Sequence, residues 1–228
     1  MTSPLLRTLL ATAACLAGLG GAQAQTLLSE GFENVGALTS GANPWTNFNG
    51  STLPLAPGFG QGDAATMFPA QSGSANSYAF SSFAVNGDDS GEIYAVLLTP
   101  VLDLSSDVAL SFWTRTVRGS NYPDRLAVGV LLDDPEGTSA ELLSVNFSLL
   151  KGGYPQRWSE FTVDLGGQGA GMTGRFYFEY YIPDASVAGN YIALDNVTVQ
   201  AIPVPEPATA LMLCLGLGGL GLAARRRA

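Results

Sequence analysis

Turn signals punctuate this chain at short, even intervals, and that spacing leaves room for strands and little else. Pro57-Gly58, Asn86-Gly87-Asp88-Asp89, Ser90-Gly91, Asp133-Asp134-Pro135-Glu136-Gly137, Gly152-Gly153 and Gly166-Gly167 separate short runs rich in Val, Phe, Tyr and Thr. Gly and Asn tolerate the backbone conformations of tight turns, and Pro presets one of them. The runs predict strands near 26–32, 64–68, 77–85, 92–98, 108–117, 125–132, 140–149, 157–165, 174–182 and 190–200. Outside the two ends of the chain no window carries a helical period. Many short strands of even spacing predict an all-β fold, a jelly-roll β-sandwich of two antiparallel sheets.

Alternation assigns the faces, because successive strand side chains point to opposite sides. In 174–182, Phe176, Phe178, Tyr180 and Ile182 form one face, while Arg175, Tyr177, Glu179 and Tyr181 form the other. Leu110 and Phe112 oppose Ser111, Trp113 and Arg115, and Phe161, Val163 and Leu165 oppose Trp158, Glu160, Thr162 and Asp164. The first set in each strand is the predicted core. Leu126–Leu132 is nearly all apolar, which predicts a strand covered on both faces.

Composition removes several chemistries. The chain has no His, so a Ser-His-Asp triad, a Cys-His dyad and a His-ligated metal are excluded. Its two cysteines, Cys15 and Cys214, lie in the end segments, so the body carries no disulfide. Setting aside Glu206, Arg7 and Arg225–Arg227 in those segments, the body holds 18 acidic and 6 basic residues, a net charge of −12. Nucleic acid is an unfavourable partner for such a surface, whereas neutral sugars and calcium suit it. Glycoside hydrolysis needs two positioned carboxylates, and none of the acids sits in a recognisable motif. The expectation is a protein without enzymatic activity, the alternatives being a carbohydrate-active enzyme built on a carboxylate pair and a purely structural matrix protein. Asp88-Asp89 and Asp133-Asp134 lack the spacing of a calcium loop and read as turn residues.

The ends read as addresses. Arg7, the apolar run Leu9–Leu19 and Ala22-Gln23-Ala24 predict a signal peptide over 1–24. The body then spans 25–202. In the tail, Pro205-Glu206-Pro207 breaks the backbone, Ala208–Ala224 is uncharged, and Arg225, Arg226 and Arg227 form a basic stop. A helix over 208–224 would be about 25 Å long, near the lower limit for crossing a bilayer. This ordered triple resembles the PEP-CTERM sorting signal, over residues 203–228. The resemblance implies an exosortase as partner, transient anchoring in the inner membrane, and release to the cell surface or extracellular matrix, often alongside exopolysaccharide and biofilm production.

In 190–200, alternation places Asp195 on the face of Val197 and Val199, so a core position for the valines predicts an inward carboxylate. A buried carboxylate is costly unless paired or bound to a cation. The motifs Leu28-Ser29-Glu30-Gly31-Phe32-Glu33-Asn34, Asn43-Pro44-Trp45, Leu110-Ser111-Phe112-Trp113, Trp158–Leu165 and Ile192–Val197 resemble, in their order, the choice-of-anchor J and cleaved-adhesin domains of bacterial surface proteins. That resemblance implies a jelly roll across the body and a structural calcium held by Glu33 and Asp195. The alternative for Asp195 is a bond to backbone amides or a turn cap. Glycans pack their C–H faces on aromatic rings. Trp113, Trp158, Tyr177 and Tyr181 lie on the polar faces of their strands and form a candidate platform if those strands are neighbours. An adhesion or glycan-associated role, with extracellular polysaccharide as partner, is the function this reading expects.

Overall fold

The computed structural model describes residues 24–203. Within them Thr26–Ile202 packs as a unit of its own. It contains twelve strands: β1 (Thr26–Glu30), β2 (Thr46–Asn49), β3 (Gly60–Gln61), β4 (Ala79–Ser82), β5 (Ile93–Leu98), β6 (Leu102–Asp103), β7 (Val108–Arg115), β8 (Leu126–Leu132), β9 (Ser139–Val145), β10 (Ser159–Leu165), β11 (Thr173–Ile182) and β12 (Tyr191–Ala201). Every pairing is antiparallel. The first sheet runs β10-β7-β12-β4-β3 with β1 on β12. The second runs β2-β5-β11-β8-β9 with β6 on β11. The jelly-roll sandwich expected from the turn spacing is the observed architecture.

The predicted faces meet between the sheets. Phe176, Phe178, Tyr180 and Ile182 of β11 and Leu110 and Phe112 of β7 are fully buried. Phe112 bridges the layers, edge-on to Phe178 at 5.3 Å and stacked on Phe161 at 5.7 Å. Trp45 closes the core edge-on to Phe32 at 5.7 Å. Such ring pairs add roughly 0.5–1.5 kcal/mol each beyond their buried area.

Several expected strands change. Residues 64–68 form a turn, because the Asp63 carboxylate accepts the Ala65 N–H (2.9 Å) and the Thr66 hydroxyl (2.7 Å). The strand expected over 77–85 ends at Ser82, whose hydroxyl accepts the Ala84 N–H and opens a 3-10 turn over Phe83–Val85. The strand expected over 140–149 stops at Val145, because Asn146 takes φ +59°. The short strands β2, β3 and β6 were not expected. They are too brief to show a period and exist through their long-range partners.

β12 departs from simple alternation. Its pairing with β7 shifts register between Asp195 and Thr198, and Asn196 has φ +48°. The result is a β-bulge, which re-aims the residues beyond it. Ile192 and Leu194 face the core before the bulge, and Val197 and Val199 face it afterwards. Asp195 therefore does not share the valines' face. It points to the opposite side with Tyr191 and Ala193, beneath the 62–78 segment.

A second buried carboxylate pins the end of the sandwich farthest from the body's first and last strands' free ends. Asp124 is fully buried; its Oδ1 accepts the Tyr180 hydroxyl and the Asn190 N–H, each at 2.8 Å. Its Oδ2 has no partner among the described residues. Burial raises its pKa, opposed by bonds from Tyr180 and from the Asn190 and Tyr191 amides. Above the unfolded value the native state keeps a proton that the unfolded chain has lost, so this residue's contribution to stability falls as pH rises through the raised pKa. Asp124→Asn keeps the acceptor and removes the titration. Urea unfolding at pH 4 and pH 7 is expected to show wild type losing stability relative to Asp124→Asn across that interval; a constant gap would refute the assignment.

Candidate functional site

The outer faces of the two sheets differ in what covers them. On the first sheet the 62–78 segment folds over β4 and β12 around a satellite cluster of Phe68, Tyr78, Tyr191 and Ala193. Trp158 belongs to this lid. Its indole N–H donates to the Pro69 carbonyl at 3.0 Å, and its ring packs edge-on to Phe68 (5.7 Å) and Tyr78 (5.8 Å). The Arg115 guanidinium lies 3.8 Å over the Phe68 ring, which adds cation–π attraction. Trp113 stands beside the lid, half-buried, in register with Glu160 and Asp195.

Tyr177 and Tyr181 belong to β11, in the other sheet. The four aromatics proposed from alternation therefore do not form one platform. Alternation distinguishes the two sides of a strand but not which sheet the strand joins, and here the pairs lie on the two outer faces of the sandwich.

Asp195 is fully buried under the lid. Its Oδ2 accepts the Gln71 N–H (2.8 Å) and its Oδ1 accepts the Asn196 N–H (2.7 Å). Burial pushes its pKa up to about 6, the amides of Gln71, Asn196 and Ser72 pull it down, and the nearby Glu33 charge raises it. Glu33 is exposed and curls back over Gly31. Glu30, half-buried, has a pKa raised by burial and then by Glu33, against the pull of the Phe32 amide. Around Asp195 the Asn196 side-chain amide donates to Gln71 Oε1, and Asn196 Oδ1 accepts the Ser72 hydroxyl at 3.0 Å. The carboxylates of Asp195 and Glu33 are hard oxygen donors, the kind calcium prefers. Among the described residues no group of three or more His, Cys, Asp or Glu side chains is arranged to hold a metal.

The outer face of the second sheet is open. A groove of about 360 Å³ runs over it, lined by Thr46 and Phe48 of β2, Tyr94, Val96 and Leu98 of β5, Leu131 of β8, Ser139 of β9, and Tyr177 and Glu179 of β11. Register explains the arrangement. Phe48 and Glu179 both sit opposite Val96, and Tyr181 sits opposite Tyr94. Phe48 packs edge-on to Tyr94 at 5.9 Å, and Tyr94 edge-on to Tyr181 at 6.1 Å. Phe48 remains 48% exposed, so its ring is available to a ligand.

The outward face of β8 is made of Ala127, Gly129 and Leu131, in register with Glu179, Tyr177 and Arg175. At Gly129 the Tyr177 hydroxyl lies where a side chain would begin, 2.3 Å from a Cβ position. β8 is thus covered on its second face by neighbouring side chains rather than by another layer. The polar centre of the groove is Glu179, half-buried. Burial raises its pKa, the Arg125 charge lowers it, and Glu141 raises it. Arg125 bonds Glu141 at 2.6 Å and the Ser144 hydroxyl at 2.6 Å. Phe48 and Tyr94 were not among the sequence candidates. The alternation of Tyr94, Val96 and Leu98 against Ile93, Ala95 and Leu97 carried a usable signal for Tyr94. Phe48 had none, because β2 is only four residues long.

Residues 203–227 match the PEP-CTERM protein-sorting motif. The match includes Pro205, Glu206, Pro207, Arg225, Arg226 and Arg227, and it implies export with a C-terminal membrane anchor before processing. The signal peptide over 1–24 and the tail helix over 208–224 lie outside the described residues but for Ala24. Among the described residues no helix is long and apolar enough to cross a membrane. The body is similar to solved cleaved adhesin domains of Lys-gingipain from Porphyromonas gingivalis W83. The K1 domain aligns with a TM-score of 0.52 at 23% identity, over 78% of this chain and 99% of that one. The K3 domain aligns with a TM-score of 0.50 at 20% identity, over the same shares. No curated protein matches the chain. Fold and tail together define an exported jelly-roll β-sandwich protein carrying a PEP-CTERM sorting tail.

Gly129→Ala would force the Tyr177 ring off β8 and also meet the Ala140 carbonyl at 2.3 Å. The expected outcome is a body destabilised by about 1–3 kcal/mol in urea unfolding, as for overpacked sites. Tyr177 fluorescence or chemical shifts are expected to change while the core aromatics keep theirs.

Proposed function

We propose that this protein is an adhesion module without enzymatic activity that associates with extracellular polysaccharide through the open face of its second sheet. An exosortase at the inner membrane processes its tail, and the body then works at the cell surface or in the extracellular polymer layer, in the company of exopolysaccharide and biofilm material. One observation carries this reading: the groove combines an exposed ring, two further aromatics and a half-buried carboxylate flanked by an Arg–Glu pair. Rings take the C–H face of a sugar. Glu179, Glu141 and Arg125 supply acceptors and donors for its hydroxyls. The net charge of −12 for the body disfavours anionic polymers and points to neutral ones.

A glycan array on residues 25–202 tests the reading. Binding to neutral glycans is expected, and the pair Phe48→Ala with Tyr94→Ala is expected to weaken it at least tenfold, roughly the worth of one lost ring contact. Release of reducing sugar from a bound glycan would overturn the non-enzymatic assignment in favour of a carboxylate-pair enzyme. Silence across the array would assign the body to a structural role in the matrix.

We propose that this body also binds a structural calcium ion between β12 and the 62–78 segment. Glu33 and Asp195 would supply the carboxylates, with backbone oxygens completing the shell, and the ion would tie β12 to the 62–78 lid. Bound only to the native state, it would stabilise that state by mass action. A thermal melt of residues 25–202 is expected to rise with added calcium chloride and fall with chelator, and Asp195→Asn is expected to abolish the response. Identical melts in both conditions would refute it.

A further inference from the structure

The strand pairings gather five connections at one end of the sandwich: 50–59, 83–92, 116–125, 146–158 and 183–190. The body's first and last residues lie at the other end, where Thr26 pairs with Gln200. This loop end contains a cavity of about 390 Å³, whose walls include Phe83, Asp88, Asp89, Tyr122, Ser186 and Asn190. It shares no lining residue with the groove. Phe83 is 55% exposed and Tyr122 46% exposed, an unusual state for rings that could otherwise pack.

The polar lining is held from behind and presents acceptors. The Asn190 backbone N–H is fixed by Asp124, and its side-chain amide donates to the Ser120 hydroxyl at 3.0 Å, which leaves its Oδ1 without a partner among the described residues. Asp88 uses Oδ1 to accept from Ser90, by the N–H and the hydroxyl, each at 2.9 Å. Its Oδ2 and both oxygens of Asp89 have no donor among the described residues. Gly189 holds φ +92° and lets the cavity wall lie close against Ile93, into which a side chain there would run. No Lys or Arg is among the described lining residues. An acceptor-rich, cation-free cavity walled by two rings suits a ligand with apolar faces and many hydroxyl donors and repels anions.

The geometry points to a second saccharide-binding site at this loop end, taking a neutral, hydroxyl-rich sugar between Phe83 and Tyr122, with Asp88, Asp89 and Asn190 accepting its hydroxyls. The inference goes beyond the groove and stands without it. With both sites loaded, one body holds two polysaccharide chains, or one chain twice, and so cross-links the polymer layer.

Native affinity electrophoresis of residues 25–202 through gels containing a neutral xylan, galactan, mannan, dextran or hydroxyethyl cellulose tests this. Three proteins run together: wild type, Phe83→Ala with Tyr122→Ala, and Phe48→Ala with Tyr94→Ala. Thermal melts of all three proteins check their folding, and the loop-end pair is exposed enough to leave the melt unchanged. The loop-end pair is expected to weaken retardation at least tenfold in one or more gels, and to abolish the rise in viscosity that wild type causes in a solution of the same polysaccharide. Wild-type behaviour of the loop-end pair in every gel would overturn the inference while leaving the groove reading intact, and wild-type behaviour of the groove pair alone would do the reverse. Retardation lost in chelator, with Asp88 and Asp89 then acting on a cation, would overturn the direct contact. A concentration-dependent dimer in sedimentation that the loop-end pair dissolves would also overturn it and assign the two rings to a second copy of the chain.

Discussion

The bulge at Asn196 sets the arrangement on which the rest of this molecule depends. β12 is the longest strand, and it pairs with β1, β4 and β7. Without the extra residue, strict alternation would put either Ile192 and Leu194 or Val197 and Val199 on the wrong side of the sheet. The bulge places all four against the second sheet. The Asp195 carboxylate accepts the N–H of Asn196, which supports the local turn of the backbone. Its second oxygen accepts the Gln71 N–H, so the same residue fastens the 62–78 segment to the sheet.

That fastening decides which outer face remains available. The first sheet is roofed by the lid, with Trp158 and Arg115 packing on Phe68. Rings there hold structure together. The second sheet has no roof, so the rings of Phe48, Tyr94 and Tyr177 line a groove, with Tyr181 packed behind Tyr94. The small outward residues of β8 lower its floor, and Glu179 sits within it because β11 is the central strand. One sandwich thus offers one closed face and one open face, together with a loop end whose exposed rings lie at the end opposite the Thr26–Gln200 pairing.

Much of this was legible in the residues. The alternation of Phe176, Phe178, Tyr180 and Ile182 against Tyr177, Glu179 and Tyr181 named both the core and the groove sides of β11. Period-2 patterning is local, so it survives without knowledge of the fold. Tyr177 and Tyr181 were found this way. The same rule places Trp158 on the surface, because it cannot see the 62–78 segment, about ninety residues earlier, arriving to cover it. Asp195 was recognised as a buried carboxylate, but its direction was wrong, because one inserted residue reverses every side chain before it relative to those after it. Asp63 turned an expected strand into a turn through two hydrogen bonds that a hydrophobic pattern does not register.

The amino-acid sequence alone determined the all-β class, the faces that β7, β10 and β11 bury, the absence of imidazole and disulfide chemistry from the body, and the sorting tail. These follow from local period, composition and a contiguous motif. Tertiary structure decided which strands share a sheet, where β12 slips its register, and which aromatics face solvent. Those outcomes depend on hydrogen-bond partners distant in the chain, and no local pattern encodes the identity of a distant partner.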